Sequence, residues 1–222
     1  MFSQQVLDRL VPAFEAARDP ERAAGQRAYM RDQFPYLGLT MPALRRITKA
    51  VLAGLPAPGD DDRRSVALRC WELPEREYQY FACELLRLHP PGAEFLPTLR
   101  QLITTRSWWD TVDPLATRVA GDLVRTHPAL VADMDAWSAA ENMWLVRTAI
   151  LHQLHRGATT DQARLFGYCT RQAGHRDFFV RKAIGWALRH YARTAPDAVR
   201  AYVDAHRDVL SPLSVREATK HL

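Results

Sequence analysis

Apolar and polar residues follow one another along this chain in helical rhythm, and the helical stretches are separated by short breaks. The breaks fall at Gly54-Leu55-Pro56-Ala57-Pro58-Gly59, His89-Pro90-Pro91-Gly92, His127-Pro128 and Ala195-Pro196. Proline at such points ends one helix and opens the next. Connections this short favour antiparallel helical neighbours. Glycine is scarce, runs of β-branched residues are almost absent, and Ala, Leu and Arg, all good helix formers, dominate. The pattern predicts an all-α fold. At the start, Met1 to Arg22 mixes Asp8, Arg9, Glu15 and Arg18 into its apolar residues, which predicts an amphipathic helix and not a signal peptide.

A period runs through the later helices. Val112, Val146 and Val180 are 34 residues apart, and Ile150/Ile184 and Leu154/Leu188 keep the same spacing. The segments V-R-T-A-I-L-H-Q-L and V-R-K-A-I-G-W-A-L, superimposed, share five identities in nine positions. A repeat of this length is one helix pair, and stacked pairs build a curved solenoid. The expectation is a single α-solenoid domain over residues 1–222 with a concave basic groove. The residues after the three valines are Asp113, Arg147 and Arg181, which should therefore lie in one row on one face. Two cations beside a carboxylate suggest phosphate contacts on either side of an anionic centre. The alternative is a salt-bridge ladder in which Asp113 neutralises Arg147.

The stretch Arg106-Ser107-Trp108-Trp109-Asp110-Thr111-Val112-Asp113 sharpens that choice. In a helix, Trp109 and Asp113 stand one turn apart on the same side. An indole face and an anion both attract positive charge, more strongly where water is partly excluded. The competing reading is a core tryptophan beside a solvated aspartate. Trp71, Trp137 and Trp144 fall at helical apolar positions and are assigned to packing, as is Trp108.

Charge and composition narrow the class. A net charge of +5 and a pI near 9.4 are compatible with a nucleic-acid partner. Cys70, Cys83 and Cys169 are odd in number and form no C-x-x-C, which argues against a disulfide framework or zinc knuckle and suits a reducing cytoplasm. No apolar run approaches the roughly 20 residues needed to span a bilayer. His152-x-x-His155 has ligand-like spacing without a third ligand and reads as a surface pair, so no metal is expected. Asp60-Asp61-Asp62 reads as a solvated turn and helix start.

Four segments in order carry a family resemblance: Y-M-R-D-Q-F-P-Y-L-G-L-T-M-P-A-L-R-R (Tyr29 to Arg46), S-W-W-D-T-V-D with M-W-L-V-R-T-A-I-L-H-Q-L, F-F-V-R-K-A-I-G-W-A-L-R-H-Y (Phe178 to Tyr191), and L-S-P-L-S-V-R-E-A-T-K-H-L. With these the chain resembles the AlkD family, the HEAT-like-repeat DNA alkylpurine glycosylases of bacteria. The resemblance implies that Asp113 is the catalytic carboxylate, that Trp109 and Trp186 line the cleft, and that Arg147 contacts DNA. Arg181, Lys182, Tyr29, Thr40 and Arg45 complete the expected DNA-binding set, although a structural tyrosine and a helix N-cap would look the same at Tyr29 and Thr40. His155 stands where a lysine would strengthen a phosphate contact. The implied activity is excision of positively charged N3- or N7-alkylpurines, such as 3-methyladenine and 7-methylguanine, from double-stranded DNA. It would proceed without base flipping or cofactor, by a monomer in the bacterial cytoplasm or nucleoid. The competing functions are a non-catalytic binder of bent or branched DNA and a protein-interaction solenoid.

Overall fold

The computed structural model describes residues 1–222 and is all-helical, consistent with a helical-repeat fold. The chain divides into two compact units, Met1–Thr98 and Leu99–Leu222. The first holds α1 (Phe2–Ala16), α2 (Pro20–Tyr29), α3 (Met41–Leu52), α4 (Asp60–Glu72) and α5 (Arg76–Leu88). Helix α6 (Leu96–Thr104) carries the chain into the second unit. That unit holds α7 (Trp109–Pro114), α8 (Gly121–Thr126), α9 (Val131–Trp137), α10 (Met143–Leu151), α11 (Gln162–Arg171), α12 (Phe178–Tyr191), α13 (Pro196–Ala205) and α14 (Pro212–Ala218).

Local chemistry explains where the helices start. Side-chain oxygens of Asp19, Thr40, Asn142, Asp161, Asp177 and Ser211 accept from the first orphan N–H groups of α2, α3, α10, α11, α12 and α14. Pro20, Pro196 and Pro212 occupy the first helical turn, where a missing N–H costs nothing. The N-terminal segment corrects one expectation. Met1 to Arg22 is two helices and not one, because Asp19-Pro20 combines an N-cap with a residue that cannot continue the preceding ladder.

In the first unit α1, α3, α4 and α5 pack on one another around Val6, Leu10, Phe14, Leu44, Val66, Phe81 and Leu85. The loop before α3 is pinned by a fully buried carboxylate. Glu77 accepts hydrogen bonds from the backbone N–H groups of Leu37, Gly38 and Leu39 at 2.9, 2.8 and 3.1 Å. Gly38 has φ of +95°, and a Cβ there would meet the carbonyl oxygen of Asp19 at 2.1 Å, so only glycine fits.

In the second unit α10 is central: α7, α9, α11 and α12 all pack against it, and α14 packs on α12. Helices α7 and α8 form one continuous rod whose middle, Leu115–Ala120, is π-helical. The widening follows Pro114, which has no N–H to donate within the helix, and the Thr117 hydroxyl donates to the carbonyl of Asp113 at 2.8 Å. The sequence pattern carries no sign of this segment, which begins two residues beyond Asp113.

Candidate active site

Asp113 sits near the end of the short helix α7, one turn beyond Trp109, as the spacing predicts. Trp108 caps that helix and is half-buried instead of being sealed in the core. Its ring lies 6.0 Å from Trp144 and 4.9 Å from Phe179, and these two are 5.1 Å apart. This aromatic cluster forms an apolar setting close to Arg147, whose guanidinium carbon lies 6.0 Å from the Phe179 ring centroid. Trp71, Trp137 and Trp144 are buried, in line with a packing role.

Arg147 joins three helices. Its Nε donates to Asp113 Oδ1 at 2.7 Å and one terminal nitrogen donates to Oδ2 at 2.8 Å. The other terminal nitrogen donates to the carbonyl oxygen of Phe179 at the start of α12. The planar guanidinium matches both carboxylate oxygens in a fork, the strongest form of this pair. The Arg147 side chain is 4 % exposed and that of Asp113 is 14 % exposed. The ion pair between Asp113 and Arg147 that the sequence offered as an alternative is thus formed. Its Nε and both terminal nitrogens each donate within the protein.

Opposing effects act on the Asp113 carboxyl. Burial pushes it above the usual carboxylate range, the hydrogen bonds and charge of Arg147 pull it down, and the nearby Asp110 charge pushes it up again; the net direction is upward. Each carboxylate oxygen has two lone pairs, and Arg147 takes one from each. The remaining pair on each oxygen is available to a cation or a water molecule arriving from the exposed side.

The rest of the expected set is distributed as follows. Trp186 is half-buried on α12, which like α7 packs against α10. Arg181 is partly exposed, and its Nε donates to the carbonyl of His175 at 2.7 Å. Lys182 pairs with Glu217 of α14 at 2.7 Å, and Arg189 pairs with the other oxygen of the same carboxylate at 2.6 Å. In the first unit Tyr29 is 73 % exposed, Thr40 caps α3 by accepting from Ala43 N at 3.3 Å, and the exposed Arg45 lies 3.7 Å from Glu84. Sequence reasoning missed Phe179 and Glu217. A backbone carbonyl leaves no mark in a sequence, and Glu217 lies outside the repeat that marked the row.

The histidine pair is a further correction. His152 is 1 % exposed and not a surface residue. Its Nδ1 lies 2.7 Å from the Ala149 carbonyl, which can only accept, so the hydrogen sits on Nδ1. Its ring is 6.2 Å from Tyr168, whereas His155 is exposed beside His190, so the two rings diverge. Asp60 begins α4 as expected but also accepts from Gly92 N at 3.1 Å.

Comparison with known proteins agrees with this architecture. A solved structure from Enterococcus faecalis, described as a predicted DNA alkylation repair enzyme, aligns with a TM-score of 0.84 and 30 % identity, covering 92 % of this chain and 96 % of that one. A search of curated proteins returns no match. Residues 10–222 match the family described as DNA alkylation repair enzyme, and this chain belongs to that family.

Proposed function

We propose that the protein is a monofunctional DNA glycosylase that removes cationic N3- and N7-alkylpurines from duplex DNA. One observation carries this reading: a largely buried carboxylate, one helical turn from Trp109, gripped on both oxygens by a buried arginine. Such a fork holds an anion at a fixed point in a setting of low polarity, where it acts most strongly on developing positive charge.

The chemistry needs little else. An N3- or N7-alkylated purine carries a formal positive charge. When its C1′–N bond breaks, the bonding pair goes to the base, which leaves neutral and requires no proton. The sugar becomes an oxocarbenium-like cation, the species that glycosidases stabilise with a carboxylate. Asp113 offsets that charge and orients the water whose oxygen bonds to C1′ and whose proton is then lost. Trp109 and Trp186 add cation–π attraction to the sugar. Arg147 keeps Asp113 ionised and aimed.

The test is to incubate the protein with methylated duplex DNA and measure released 7-methylguanine and 3-methyladenine. Release of neither base, with duplex binding intact, would favour a DNA-binding protein without excision activity. The Asp113–Arg147 pair suits that second reading too, as a structural clasp between α7 and α10.

A further inference from the structure

The helices that carry Asp113 and Arg147 continue into a second group of cations that the proposed chemistry leaves unused. His155, in the turn after α10, is exposed, and its ring meets that of His190 on α12 edge to face, with centroids 5.5 Å apart. Arg118 of the π-helical segment and Asp122 of α8 face His155, while Arg193 and Arg189 of α12 face His190. The carboxylates nearby are engaged by other partners. Asp122 pairs with Arg125 at 3.3 Å, and Glu217 of α14 holds Arg189 together with Lys182. Arg118 and Arg193 are exposed and neither makes an ion pair. Arg156, next to His155, donates to the Gly121 carbonyl and has no carboxylate partner.

Two imidazoles and two unpaired guanidiniums thus share a patch whose one facing carboxylate is already paired. Burial and the neighbouring cations hold both histidines below the ordinary value, and the opposing pull of Asp122 on His155 is the smaller effect. An oxyanion would change that, since each charged imidazole offers N–H donors and phosphate oxygens only accept. The position suits a polynucleotide. His190 stands one turn beyond Trp186 on the same side of α12, about 6 Å along the helix, close to the spacing of two successive phosphates of one strand.

We propose that Arg118, His155 and His190 form a phosphate-binding site on the DNA path that takes up a proton as it fills, so that duplex affinity rises as pH falls through the histidine range. This rests on duplex DNA being the partner. The proton comes from solvent and is held on the imidazole pair while the phosphodiester is bound.

The experiment measures binding of an unmodified duplex oligonucleotide between pH 5.5 and 8.5 at constant ionic strength. Asp113→Asn serves as the parent, which removes that carboxylate's own titration. The parent should bind roughly five- to tenfold more tightly at pH 6 than at pH 8. His155→Gln with His190→Gln should flatten the profile, and its salt slope should fall by about one phosphate contact. His155→Lys should keep affinity at pH 8 or raise it while losing part of the pH dependence. Arg118→Gln, an exposed change that decides the matter if His190→Gln fails to fold, should weaken binding and move the affinity rise to higher pH. A flat profile in the parent, or an unchanged profile in the histidine variants, overturns the proposal while leaving DNA binding intact. No duplex binding at any pH removes the proposed function along with it.

Discussion

At the scale of single residues, the Asp113–Arg147 fork decides what the site does. Asp113→Asn keeps the shape but removes the charge that opposes a sugar cation, so excision should slow on the order of 100- to 1000-fold. Duplex binding should survive, because the carboxylate repels phosphate. Single-turnover release of 7-methylguanine reads this directly, and a wild-type rate in the variant would make the carboxylate purely structural. Arg147 allows a sharper prediction about pH. Burial and Asp110 already push the Asp113 carboxyl upward and Arg147 opposes them. The rate should therefore fall on the acid side at a pH above the ordinary aspartate value of about 3.9. Arg147→Gln removes the opposing effect and should move that acid limb higher still. It also leaves a largely buried anion unpaired, which typically costs roughly 3–5 kcal/mol of stability. If the arginine served only to bind phosphate, the variant would weaken DNA binding and leave the acid limb in place. The repeat put Arg147 beside Asp113 but could not show which way its side chain leans. A repeat fixes which residues share a face, whereas the guanidinium's direction depends on an acceptor 34 positions back and a carbonyl 32 positions ahead.

At the scale of helices, much was legible because the signals are local. The breaks read at Gly54–Gly59, His89–Gly92 and Ala195-Pro196 do separate helices, whereas the Asp19-Pro20 start of α2 is equally local and was passed over. The 34-residue period correctly paired α10 with α12, which pack on each other. The π-helical segment Leu115–Ala120 was not legible because a proline in a helical pattern marks a break or kink without specifying a wider turn, and the burial of His152 was not because it depends on neighbours distant in sequence. Gly121 is one such neighbour: a Cβ there would meet the His152 carbonyl at 2.6 Å, so the helix end and the turn pack at backbone contact. Sealed there, His152 is pushed down to about 4 by burial, and its Nε2 has no hydrogen-bond partner. The consequence for stability has a definite sign. Below about pH 6.5 the unfolded chain takes a proton that the folded His152 refuses until about pH 4. Stability is therefore full above pH 6.5 and is lost as pH falls toward 4, by about 3 kcal/mol from this residue. Urea unfolding at pH 7, 6, 5 and 4 should show this loss in the wild type and a shallower one in His152→Asn, which retains a donor for Ala149. Equal slopes in both would assign the acid sensitivity to other groups.

At the scale of the whole molecule, the question is which damaged bases a single anchored carboxylate can release. Membership in the DNA alkylation repair family covers residues 10–222, yet neither it nor the fold selects the lesion. Charge does. Breaking the glycosidic bond of a neutral base such as uracil or hypoxanthine leaves an anion on the base unless a general acid protonates it. The charge and both hydrogen bonds of Arg147 favour the ionised form of Asp113, and an ionised carboxylate has no proton to give a leaving base. His152, the buried histidine of α10, holds its proton against a carbonyl with its other nitrogen sealed, so it does not replace the missing acid. A cationic lesion has no such need, because its leaving group departs neutral. Wild-type protein should therefore release 7-methylguanine and 3-methyladenine while leaving uracil and hypoxanthine in place at pH 7, even in prolonged single-turnover reactions. Parallel duplexes differing only in the lesion make the comparison, with released base quantified by chromatography. Uracil release within tenfold of the 7-methylguanine rate would mean that a proton donor reaches the base, and the charge-selective mechanism would fall.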